Sequence, residues 1–169
     1  MPYQTWRDTL RWLALLTDPK TLEASILKPL VPDIDMLLER QIPPPPPLSP
    51  IAAKARLIAT ITDIVSRQPY PIVLIVEDVQ WAGAQSLDLL NAFVRLSASH
   101  PLLVLGNYRD DEAPQLAVQL AAMHHLKLGR LLPAQITALS RAMIGEVEQM
   151  DHVLELLQRE TEGNVFFLV

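Results

Sequence analysis

Two adjacent carboxylates, Glu77 and Asp78, follow an unbroken apolar run, Ile72 to Val76. Two like charges at the end of a strand need a cation or solvent to be tolerated. Oxygen donors of this kind suit a hard divalent cation such as magnesium, held directly or through water. A carboxylate in that position can also polarise an attacking water. A second apolar run, Leu102 to Leu105, is followed by GNYRDDE, which places Arg109 just beyond its end. A guanidinium there can sense a terminal phosphate. The alternative for Arg109 is a surface ion pair with Asp110, Asp111 or Glu112. The alternative for the two acids is ordinary solvated turn chemistry, since strands often end in acidic turns.

The elements that position these groups are legible from periodicity. Both apolar runs are too short for helices and read as strands covered on both faces, as in parallel sheets. A helix from about Gln85 to Ser97 lies between them, with Leu87, Leu90 and Val94 along one stripe. Strand, helix, strand at this spacing is a βαβ unit with the two strands parallel. The fold class is therefore α/β, with open-sheet ligands expected at the carboxyl ends of the strands.

Upstream, Trp6, Leu10, Leu13 and Leu16 give one apolar helix face. Asp18 and Pro19 read as N-cap and first residue of a second helix. Pro29 and Pro32 divide the pattern, and a further helical turn or two fits between Asp33 and Arg40. Pro43 to Pro47 is a run of prolines that excludes helix and central strand. It reads as a stiff spacer, with docking to a proline-recognising domain as the alternative. Ser49 and Pro50 then open a helix running to about Arg67, with Leu57, Ile58, Ile61, Ile64 and Val65 inward. Downstream, helix is expected near Pro114 to Met123, a short strand at Leu126 to Leu128, and helices at Pro133 to Ile144 and Met150 to Thr161. Gly163 stands where a glycine ends the last helix.

Composition narrows the function classes. Half of the 169 residues are apolar, enough for a sizeable core. The net charge of −5 gives no electrostatic reason to expect nucleic acid along this segment. No cysteine is present, which removes disulfides and thiolate metal sites. No apolar run reaches the roughly 20 residues of a membrane helix, and no signal peptide is visible, so a cytoplasmic location is expected. His124 and His125 are adjacent, diverge by about 100 degrees on a helix, and lack a third ligand. A kinase or cyclase active site is rejected because its glycine-rich and catalytic loops are missing.

Taken in order, EDVQWA, NYRDDE, LGRLLPAQITALSRAMIG and TEGNVFF resemble the AAA-type, STAND-class P-loop ATPase module of large bacterial signalling proteins. The opening PYQTWRDTLRWL also looks like the helix that follows the P-loop region there. In that family the module is fused to serine/threonine kinase, adenylate or guanylate cyclase, LuxR-type DNA-binding or tetratricopeptide domains. The resemblance implies an incomplete P-loop sheet flanked by helices, with a helical C-terminal segment. It covers nearly the whole chain, read as one partial domain over 1–169: a helical segment 1–42, a proline-rich spacer 43–50, a Walker B and sensor core 51–130, and a lid-like helical segment 131–169 cut at its end.

The resemblance also implies roles. Glu77 matches the magnesium-side acid, acting through water, Asp78 the acid that activates water, and Arg109 the sensor arginine. Gly163 and Asn164 match a turn near the adenine whose third residue is usually proline; here it is Val165. Gln80 and Gly83 stand where the family often has histidine and aspartate. Trp81 matches the family, and its expected role is packing beneath the strand end. The cofactors implied are ATP or ADP with magnesium, and the partners are nucleotide and the parent protein's other domains.

No G-x-x-x-x-G-K-[ST] occurs, and no glycine precedes a lysine. The resemblance implies that the phosphate loop belongs upstream of Met1 and that the match stops in mid-motif at Val169. These residues alone are then expected to be inactive within a parent ATPase. The alternatives are a degenerate, non-hydrolysing α/β interaction module, and a plain α/β ligand-binding domain whose acidic strand end binds magnesium or nothing.

Overall fold

A computed structural model describes residues 3–145 and 147–168, which divide into two compact units at His124 and His125. In the first unit, α1 spans Arg7–Thr17, α2 Thr21–Leu27, α3 Ile34–Leu37 and α4 Pro50–Ser66. Strand β1 is Ile72–Val76, α5 is Ala84–Ser97, β2 is Leu102–Gly106 and α6 is Leu116–Gln119. The second unit contains α7, Pro133–Ile144, and α8, Met150–Thr161.

The two strands pair in parallel, with Ile72 opposite Leu102 and Val76 opposite Gly106. This is the expected βαβ unit, its crossover made by α5. One face of the pair is well covered. Leu74, Val76 and Leu102 pack into a core with Trp6, Leu10 and Ala14, with Ile61 and Ile64 of α4, and with Leu89, Leu90 and Phe93 of α5. Ser49 caps α4, its hydroxyl accepting the Ala52 N–H at 3.4 Å, with Pro50 as first residue.

The other face departs from the expectation of cover on both sides. Val73 and Ile75 are 59% and 64% exposed, and Leu103 and Leu105, opposite them in register, are 53% and 47% exposed. An uninterrupted apolar strand belongs between two layers, and among the described residues only one layer is present.

Three local expectations are also corrected. Pro19 does not begin a helix. Asp18 instead ends α1 in a left-handed conformation (φ 39°), and Arg40 ion-pairs with its carboxylate at 3.0 Å. Helix α2 starts at Thr21, and the Lys20 N–H donates to the Glu23 carboxylate at 2.8 Å. The helix expected from Pro114 to Met123 shrinks to the single turn of α6. Only Leu116 and Leu120 are buried there while Val118 is exposed, so the segment lacks a long apolar stripe to hold more turns. No strand forms at 126–128, where Leu126 and Leu128 are exposed and no third strand is there to pair with among the described residues.

The proline run is anchored by its carbonyls, which are all a proline backbone can offer. Pro43 O accepts from the Ser25 hydroxyl and Pro46 O from the Arg56 guanidinium, each at 2.8 Å. No described helix is long and apolar enough to cross a membrane.

Candidate functional site

Where β1 ends, the chain must turn sharply. Asp78 takes the left-handed conformation (φ 51°, ψ 47°), which short polar side chains tolerate better than bulky ones. A 3-10 turn follows at Val79–Trp81, pinned by the buried Val79. Trp81 does not pack beneath the strand end as expected; it is 74% exposed, whereas Val79 is buried.

The end of β2 lies alongside. Gly106 leaves room there: a Cβ on it would come 3.4 Å from the Val79 side chain. Asn107 then stitches the two strand ends together. Its N–H donates to Val76 O at 3.1 Å, and its carbonyl accepts the Val79 N–H at 2.9 Å. Its side-chain oxygen accepts the Asp78 N–H at 2.9 Å.

These contacts bring Glu77, Asp78 and Arg109 to one edge of the sheet, at the carboxyl ends of neighbouring parallel strands. Both carboxylates are exposed. Asp78 Oδ1 accepts from Gln80 Nε2 at 3.0 Å, and Gln80 Oε1 accepts the Arg109 N–H at 3.2 Å. The Arg109 guanidinium pairs with Glu112 at 2.8 Å, one of the three acids named as surface partners. Sequence reasoning missed Asn107 and the bridging position of Gln80. The available signal was an asparagine directly after a strand-ending glycine, where short amide side chains commonly bond to nearby backbone.

The donor set suits magnesium only in part. Among the described residues no group of three or more His, Asp or Glu can hold a metal ion. Two exposed carboxylates nevertheless match the usual magnesium arrangement, in which one or two acids combine with water and substrate phosphates.

Gly163 and Asn164 lie in the second unit. Glu162 and Gly163 both take left-handed φ, 46° and 78°, and end α8 as expected of that glycine. The Gly163 carbonyl accepts the Leu131 N–H at 2.8 Å, and Asn164 Oδ1 accepts the Phe166 N–H at 3.1 Å. A Cβ at Gly163 would lie 2.3 Å from Leu131 O, so the approach of these two segments demands glycine.

Comparison with curated proteins finds no match. Comparison with solved structures finds none either. The family model for the AAA ATPase domain matches residues 1–105, a span that includes α1 through α5, both acids at the end of β1, and nearly all of β2. The chain belongs to the AAA ATPase domain family.

Proposed function

We propose that these residues form part of an ATP-binding and ATP-hydrolysing regulatory switch of the STAND class, within a multidomain bacterial signal-transduction protein. The observation that carries this reading is the joining of Asp78 and Arg109 at the ends of two adjacent parallel strands. In the reading, Asp78 orients and deprotonates the attacking water. Glu77 holds magnesium through water, and the ion when bound neutralises charge on the phosphate oxygens. Arg109 exchanges its Glu112 partner for the terminal phosphate. Gly163 and Asn164 are assigned to cofactor binding by the same resemblance. Phosphate cradling falls to a glycine-rich loop outside these 169 residues. ATP then shifts the packing of sensor and output domains, and hydrolysis resets it.

A second reading is a degenerate, non-hydrolysing interaction module. Val165 in place of the usual proline and the bare apolar sheet face favour it. Calorimetry with Mg-ATP tests the first reading. The chain alone is expected to bind weakly or not at all, because loop amides and lysine supply most phosphate contacts. A parent carrying the loop is expected to bind and hydrolyse. Micromolar binding by these residues alone would overturn the need for that loop, and a loop-bearing parent without turnover would favour the interaction module.

A further inference from the structure

We propose that Gln80 is the positioning residue that ties the Asp78 carboxylate to the Arg109 loop through a single side-chain amide. The proposal rests on the reading of Asp78 and Arg109 given above and adds a device for their coupling.

Chemistry fixes the orientation of the amide. Arg109 N–H can only donate, so the Gln80 atom 3.2 Å away must be the oxygen. The nitrogen then faces Asp78 Oδ1 at 3.0 Å, where a carboxylate needs a donor. The flipped amide would set oxygen against carboxylate and N–H against N–H, so both contacts select the same rotamer. The bonds made by Asn107 hold backbone to backbone or side chain to backbone. They leave the Asp78 carboxylate free to rotate, and Gln80 is what holds it. Gln80 is itself set on the turn anchored by the buried Val79.

One amide cannot serve both partners independently. A cation or water that draws Asp78 Oδ1 away removes the nitrogen's partner, and rotation of the amide then releases the Arg109 N–H. Occupancy at the carboxylate is thereby transmitted to the loop that carries the guanidinium. Asp78 and Arg109 themselves need not touch.

The test is NMR-detected exchange of the Arg109 amide with water, in the nucleotide-free chain. Gln80→Leu is expected to speed that exchange about three- to tenfold, the loss of one modest hydrogen bond. Asp78→Gly, which suits a positive φ, is expected to speed it about two- to threefold without touching Arg109. Asp78→Asn, which keeps an acceptor, restores the slower rate. The double variant Q80L/D78G is expected to match Q80L alone, because the two act through one link. The Val79 amide, bonded to Asn107 O, stays slow throughout and reports an intact frame. An Arg109 amide unmoved by Q80L, or additive effects in the double variant, overturns the proposal. Because no nucleotide is present, the exchange tests the link apart from the ATP reading, which calorimetry tests.

Discussion

The side-chain oxygen of Asn107 accepts the backbone N–H of Asp78 at 2.9 Å, across 29 residues of sequence. The bond holds an aspartate in a left-handed backbone that would otherwise cost free energy. Asn107→Ala is therefore expected to cost about 0.5–1.5 kcal/mol in urea unfolding. Asn107→Asp, which keeps the acceptor, recovers most of it.

Trp6 anchors the first unit. Its indole N–H donates to Ser86 O at 3.2 Å, and its ring lies 5.3 Å from that of Phe93, centroid to centroid. Trp6→Ala is expected to cost about 3–5 kcal/mol, and Trp6→Phe less, since only the N–H bond and part of the ring go. The other two tryptophans, Trp12 and Trp81, are exposed. Trp6→Phe therefore shifts the fluorescence maximum to the red in the folded protein, and an unshifted spectrum contradicts the burial of Trp6.

Gly163→Ala should destabilise the second unit by about 2 kcal/mol or more, from positive-φ strain and the clash with Leu131 O. Gly129, in the same unit, is the control: it lies outside the left-handed region and nothing lies within 4 Å of an added Cβ, so Gly129→Ala costs far less. Limited proteolysis near Leu131 reads the difference.

Asp35 makes the first unit acid-sensitive. The Lys28 ammonium at 2.7 Å, followed by the Ile42 N–H at 2.6 Å, holds its carboxyl below the usual range. A lowered folded pKa contributes stability above the unfolded pKa and loses it as pH falls through the folded value. Urea midpoints measured from pH 6 down to pH 2 are expected to fall less steeply in Asp35→Asn than in the parent, because that proton-linked part is gone.

The acids at the end of β1 predict two different phenotypes in a parent that carries the phosphate loop. Asp78→Asn is expected to cut hydrolysis about 100- to 10,000-fold while ATP binding persists, as for loss of a positioned base. Glu77→Gln is expected to weaken magnesium-dependent binding instead. If both acids are ordinary solvated turn residues, neither change moves turnover more than a few-fold in a steady-state assay.

Much of this protein was determined by short stretches of sequence. Ser49 and Pro50 set the start of α4 because an N-cap acts within one turn. The apolar runs at Ile72 and Leu102 became strands because β-branched residues and leucine in short runs fit a pleated surface. The bounds of α7 and α8 match their sequence patterns because proline and glycine punctuate the backbone locally. Tertiary structure decided the rest. Asp18 was claimed by Arg40 rather than by the next helix, a choice between residues 22 positions apart. Among the described residues, the segment at Leu126 found no strand to pair with, and the outer face of β1 and β2 found no second layer, although its residues are as apolar as those inside. Gln80 reads as an ordinary turn residue until β2 returns alongside β1 and brings Arg109 within 3.2 Å of it. Local patterns carry backbone preference and hydrophobicity. Which polar groups meet depends on the distant strand that the fold sets beside them, and that choice has no signature in either strand alone.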